Sequence, residues 1–279
     1  PLTITDDAGR SVTIEKQPEK IVSLAPSNTE ILFALGLGDK VVGNTTYCDY
    51  PEEAKSVEKI GGFSDPSLEK IVSLEPDLLL GTSMHKKFVS DIEGLNLTLV
   101  LINSTDIAGV MEDVKMIGNI TGASDAADNV VAQAQAKVDS VENALKGIAD
   151  SDKVQVFYLM WDDPIMTVGP NTLISDVITH AGGVNIAADA DQDYPTYSLE
   201  VLVTKDPDAI VYTKMGSGTG LDPETIKSKT GWESIAAVRN DRLYSIDDNL
   251  MSRPGPRIVD GLVETAKALY PDKFPGSSK

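Results

Sequence analysis

The sequence predicts an α/β fold of two similar lobes, each built on a mainly parallel sheet, joined by a single long backbone helix. Three observations carry this. Apolar runs of strand length alternate with helical stretches in both halves, the pattern of parallel sheets covered on both faces. One uninterrupted amphipathic stretch, residues 124–148, separates the halves. A short pattern also occurs once in each half, as LEKIVSLEPDLLL at 68–80 and LEVLVTKDPDAIV at 199–211. The expected division is an N-terminal α/β lobe at 1–122, an interdomain helix at 123–149 and a C-terminal α/β lobe at 150–279.

The elements follow in order. LTIT (2–5) and SVTI (11–14) alternate β-branched and polar residues around Asp7-Ala8-Gly9-Arg10, which predicts a hairpin. KIVSLAPSNTEILFALGLGDKVVG (20–43) reads as a strand, a capping turn, an apolar helix stopped by glycines, and a second strand. Residues 67–81 give a short helix, a Pro-Asp break and a buried strand, and TLVLIN (98–103) a further strand. From Ser124 as N-cap, Val130, Val131, Ala134, Val138, Val141 and Leu145 recur at helical spacing without an intervening proline. KVQVFYLMW then restarts the programme, followed by a helix in PNTLISDVITHAGGVN, the second Leu-Glu…Pro-Asp copy, and RLYSID as a strand. Loops of two such lobes can face each other across a cleft, a common place for a small-molecule site.

Composition narrows the function. The 279 residues include 24 Lys and Arg against 43 Asp and Glu, a formal charge of −19, which disfavours nucleic acid and anionic lipid as partners. No apolar run approaches the roughly 20 residues of a membrane-spanning helix. One cysteine, Cys48, excludes an intramolecular disulfide framework and a cysteine zinc cluster; it reads as a small, semi-buried residue. The chain opens Pro1-Leu2-Thr3-Ile4, as expected of a processed product, which permits export. Asn44, Asn96, Asn103 and Asn119 each begin a glycosylation acceptor triplet.

Five stretches carry a resemblance over nearly the whole chain: KIVSLAPSNTEILFALGLGDKVVG, YCDYP at 47–51, IGGFSDPSLEKIVSLEPDLLLG at 60–81, PIMTVGPNTLISDVITHAGGVNIAAD at 164–189, and RPGPRIVDGL at 253–262. In this order they resemble the substrate-binding proteins of ABC importers for cobalamin, iron-siderophores and haem, most of all the cobalamin-binding members. That family has two Rossmann-like lobes tied by one rigid helix. The resemblance implies an extracytoplasmic monomer, in the periplasm or at the cell surface, that passes its ligand to membrane permease subunits. It also implies that Glu69 and Glu200, one per lobe, face arginines of the permease; as first-turn acids both also favour their own helix dipoles.

By the same resemblance the ligand-binding positions fall on Ser27, Tyr47, Phe63, Met160 or Trp161, Tyr194, Asp248, Asn249 and Arg253. Aromatic faces suit an apolar macrocycle, and Asn, Asp and Arg suit its amide rim. Phe63 and Tyr194 stand where the cobalamin pattern has tryptophans. Arg253 would equally serve a siderophore or haem carboxylate, so those ligands remain alternatives.

No cofactor or metal site is expected, because His85 and His180 are the only histidines: His85 reads as exposed loop, and His180 as capping helix-end carbonyls. A two-lobe Rossmann enzyme is the rival class. It would carry a glycine fingerprint after the first strand, where this chain has APSNTE, and no G-x-S-x-G elbow occurs. The glycine-rich Lys214–Gly220 matches no phosphate-cradling pattern and reads as a mobile loop.

Overall fold

Strand β1 (Leu2–Thr5) pairs antiparallel with β2 (Ser11–Ile14), and the turn between them is closed by Asp6, whose Oδ1 accepts the Ala8 and Arg10 backbone N–H groups. The computed structural model describes residues 1–214 and 221–276; the remainder of the glycine-rich loop, 215–220, lies outside the described residues. The chain divides into two units. The first comprises Pro1–Ser104, Ala108–Gln133 and Pro254–Pro256; the second comprises Thr105–Ile107, Ala134–Arg253 and the chain from Arg257 on.

The first unit holds β3 (Ile21–Ser23), α1 (Pro26–Ala34), β4 (Val41–Gly43), α2 (Leu68–Ser73), β5 (Leu78–Thr82), α3 (Val89–Gly94), β6 (Leu99–Ile102) and most of α4 (Ile107–Thr121). Its strands lie in the order β4-β3-β5-β6, all parallel. Leu78, Leu79 and Leu80 are fully buried because both faces are covered: Leu78 and Leu80 join the core formed with Ile31, Val114 and Ile117, and Leu79 joins Ile71 and Ile92 on the other face. The hairpin seals the β6 edge, since Leu101 donates its N–H to Asp6 Oδ2 while its carbonyl accepts from Asp7 N.

Helix α4 was not anticipated from the sequence. Gly118 within it is required by packing, since a Cβ there would stand 2.5 Å from the Ala127 Cβ. Helix α5 (Ser124–Leu145) spans 22 residues, about 33 Å. Ser124 is its first helical residue rather than its cap, and it stops where Gly147 turns left-handed at φ +93°. The division between the units falls within it, after Gln133.

The second unit repeats the plan with β7 (Gln155–Leu159), the short antiparallel ribbon β8 (Trp161–Asp162) and β9 (Ile165–Met166), α6 (Leu173–His180), β10 (Val184–Asn185), α7 (Leu199–Lys205), β11 (Ala209–Lys214), α8 (Pro223–Lys227), α9 (Ala236–Arg239), β12 (Leu243–Asp247), α10 (Asp248–Met251) and α11 (Ile258–Leu269). Its parallel strands run β10-β7-β11-β12. Ranked by chain position, both sheets have the order 2-1-3-4, so the fold is α/β with two parallel sheets of one topology.

The sequence repeat is a structural module. Ser67 and Ser198 cap α2 and α7 by accepting from Lys70 N and Val201 N. Each helix ends at a left-handed residue before proline, Glu75 (φ 49°) and Asp206 (φ 43°). The aspartate that follows ties down the start of the first strand of its own sheet: Asp77 Oδ2 accepts from Glu19 N and Lys20 N, and Asp208 Oδ2 from Gln155 N.

One buried carboxyl makes stability pH-dependent. Asp113 of α4 is 2% exposed, accepts a very short hydrogen bond from Ser104 Oγ and lies beside Asp7. Burial first, then the Asp7 charge, pushes it up to about 8, against the restraining Ser104 bond. Because the folded value exceeds the unfolded one, its contribution is full below about pH 4 and is lost as pH rises through about 8. Asp113→Asn is therefore expected to gain stability relative to wild type from pH 5 to 8, by at most about 1.4 kcal/mol per pH unit. Urea unfolding at both pH values checks this; parallel pH profiles would refute it.

Candidate functional site

The residues expected to bind ligand stand within their own units at the carboxyl ends of the parallel strands. In sheets of this order, ligands are usually received by the loops after the two inner strands; Ser27 and Met160–Trp161 stand there, whereas Tyr47, Phe63, Tyr194 and Asp248–Arg253 follow edge strands. In the first unit, Ser27 opens α1 directly after β3, and Tyr47 follows β4. Phe63 lies in a tight turn, residues 60–67, closed by Ser67 N to Ile60 O at 2.6 Å and by the Gly61–Pro66 bridge. Tyr47 lies against this turn at Gly62, with its Cε2 3.7 Å from where a Cβ would stand, and Gly62 itself makes room for the Asp65 carboxylate. Tyr47 and the Phe63 turn are thus brought together. Tyr47 is 62% exposed, Phe63 half-buried, and Ser27 buried.

Beneath Tyr47 the structure is fixed by buried polar contacts. Cys48, 2% exposed rather than semi-buried, has its Sγ 3.2 Å from the hydroxyls of Thr29 and Thr45. Lys59 Nζ donates to Asn44 Oδ1 at 2.7 Å and to the Ala54 and Cys48 carbonyls, and burial lowers its pKa.

In the second unit, Met160 and Trp161 follow β7, with Met160 N donating to Met166 O and Trp161 paired opposite Met166 in the β8–β9 ribbon. Met166 in turn bridges Thr196, while Thr167 N and Gly169 N donate to Pro195 O and Asp193 O. That zipper ties the loop carrying Tyr194 to the segment that continues β9, so Met160, Trp161 and Tyr194 stand on neighbouring backbone segments. Trp161 is 41% and Tyr194 55% exposed. Asp248 and Asn249 begin α10 after β12, Asp247 capping the helix through Asn249 N and Asp248 Oδ1 accepting from Ser252 Oγ. Arg253 follows them, half-buried. Strand β11 separates this second cluster from the aromatic one, and its own continuation is the 215–220 segment outside the described residues.

Glu69 and Glu200 occupy the same position of the repeated module, in the first turns of α2 and α7. Both are exposed, and neither carboxylate forms an ion pair among the described residues.

Two histidine expectations are corrected. His85 is fully buried in the 3-10 turn Ser83–Phe88, where it bonds Thr82 N and the Phe63 carbonyl. The adjacent Lys86 and Lys87, both exposed, had made the segment read as surface. His180 faces Glu142 at 3.3 Å and Asp176 at 3.6 Å, so its partners are carboxylates on α5 and α6 rather than helix-end carbonyls. No group of three or more His, Cys, Asp or Glu residues suited to a metal occurs among the described residues.

With two parallel sheets of one topology and aromatic groups at their strand ends, the chain belongs to the periplasmic binding protein family, whose model matches residues 21–250. It is accordingly a substrate-binding protein of the ABC type, from a family of transport proteins rather than enzymes. Among its relatives, an uncharacterized ABC transporter substrate-binding lipoprotein of Bacillus subtilis is 37% identical over 98% of this chain and 87% of its own. A cobalamin-binding protein of Halobacterium salinarum is 31% identical over 97% of this chain and 74% of its own. Among solved structures, a periplasmic haem-binding protein of Roseiflexus superposes with a TM-score of 0.80 at 27% identity, over 91% of this chain and 99% of the other.

Proposed function

We propose that this protein is the extracytoplasmic binding component of an ABC importer and that its ligand is a corrinoid. The observation that carries the ligand assignment is the exposure of Tyr47, Trp161 and Tyr194 at strand-end loops. Large aromatic faces held open at such loops suit a broad, largely apolar macrocycle, and Asp248, Asn249 and Arg253 supply polar groups for an amide-bearing rim. The cobalamin-binding relative supports the same reading. A haem or iron-siderophore ligand is the second reading, favoured by Arg253, whose guanidinium suits a carboxylate, and by the likeness to the haem-binding structure. The lipoprotein relative supports a place outside the cytoplasm, and no helix among the described residues is long and apolar enough to cross a membrane. Glu69 and Glu200 serve as a two-point ionic dock for the permease, fixing orientation and raising the encounter rate more than affinity.

Titration with cyanocobalamin, cobinamide, ferrichrome and hemin tests the ligand. Binding is followed through the ligand's visible absorption and through tryptophan fluorescence, where exposed Trp161 and buried Trp232 are both expected to be quenched by energy transfer, so Trp161→Phe should lose only part of the signal. Saturable binding of the two corrinoids is expected; a response to hemin or ferrichrome alone would replace the corrinoid with an iron complex.

A further inference from the structure

Building on the ligand reading above, we propose that His85 is a positioning residue: it latches the Phe63 turn to the carboxyl end of β5 and so sets the pose of the aromatic surface formed by Phe63 and Tyr47. The geometry dictates how the ring is used. Nδ1 lies 2.9 Å from Thr82 N, an amide that can only donate, so Nδ1 must accept. Nε2 therefore carries the ring proton and donates to the Phe63 carbonyl at 2.7 Å. Only the neutral Nε2–H tautomer satisfies both partners, and burial, with Lys87 adding to it, holds the imidazole pKa down.

Packing reinforces the latch. The Phe63 ring meets His85 edge to face at 5.2 Å, and Phe88 stacks on the histidine at 6.4 Å. Gly81 makes room, because a Cβ there would stand 3.2 Å from the His85 ring nitrogen Nδ1. A continuous path thus runs from the strand end through His85 to Phe63, across Gly62 to Tyr47. The Nδ1 bond caps His85's own turn at Thr82, so the Nε2 bond is the one that leaves this turn and holds the segment presenting Phe63.

Two substitutions divide the latch. His85→Asn keeps an acceptor near the Nδ1 position and loses the bond to Phe63; His85→Gln keeps a donor near the Nε2 position and loses the acceptor for Thr82. Hydrogen exchange on the ligand-free protein is read at the Ser67 and Thr46 amides, which close the Phe63 turn through Ile60 O and Gly61 O. Exchange there is expected to quicken about tenfold or more in His85→Asn and to stay near wild type in His85→Gln, as loss of one hydrogen bond would give. Titration of both variants with cyanocobalamin and hemin is expected to show the same order, about tenfold weaker for His85→Asn and near wild type for His85→Gln. Wild-type exchange in His85→Asn would remove the latch. A loosened turn with unchanged affinity would reduce it to a structural contact. If the wild-type protein binds neither probe, the ligand assignment fails, whereas the exchange experiment still decides whether His85 holds the turn.

Discussion

The Glu69→Ala, Glu200→Ala double variant is expected to bind ligand as wild type does and to lose delivery to the permease. Neither carboxylate is used within the described residues, and both are exposed in equivalent first turns, so their removal leaves the strand-end loops untouched. Fold stability should fall by only about 0.3–1 kcal/mol per site, the worth of an acidic group near a helix N-terminus. Docking should suffer far more: losing two charges that steer encounter lowers association by roughly 10- to 1,000-fold, most steeply at low ionic strength. Vesicle-reconstituted permease, with ligand uptake measured against salt, reads this directly. Glu69→Gln with Glu200→Gln separates charge from helix propensity, and a glutamine pair that delivers ligand like wild type would mean the dock is not ionic.

The second large effect is expected at Gly169. A methyl group there would stand 2.0 Å from the Gln192 carbonyl, a backbone atom that cannot rotate away, while Gly169 N must still reach Asp193 O at 2.7 Å. Gly169→Ala should therefore push the 191–195 segment off the ribbon and carry Tyr194 with it. Overpacking of this kind costs about 1–3 kcal/mol, or roughly 2–4 °C in Tm for each kcal/mol in a domain of this size. Ligand affinity is expected to fall alongside, because the loop that presents Tyr194 loses its backbone bonds to residues 167–169. Calorimetry and titration together check it: a variant with wild-type Tm and affinity would show that the approach of the two segments is not required.

What the sequence revealed and what it withheld have separate physical causes. The sheets were legible because strands buried on both faces must be apolar throughout, as at Leu78–Leu80, and because the Leu-Glu…Pro-Asp module combines a helix start, a helix stop and a strand tether in eleven positions. Helix α4 carries Gly118 because Ala127 packs against it, a demand of tertiary contact that local propensity does not express. His85 was misjudged because burial is decided by partners distant in sequence: its carbonyl acceptor belongs to Phe63, 22 residues away. The β8–β9 ribbon has its turn in Asp162-Asp163-Pro164, residue types that favour turns and could have announced it. The candidate site was legible only by resemblance, since no spacing rule says that the segment carrying Tyr194 pairs with the one that follows Met166.

The tether aspartates also bear on how the chain folds. Asp77 reaches back 57 residues to Lys20, and Asp208 reaches back 53 to Gln155. Each sheet's first strand is an inner strand and must wait for its later neighbour before it is enclosed on both sides. The entropic cost of closing these two loops differs by less than about 0.1 kcal/mol. During synthesis, the amino-terminal sheet can therefore begin to close while the second is still unmade, and the second then faces a search of nearly the same length. Folding should proceed as two successive collapses of similar speed rather than one slow search over the whole chain.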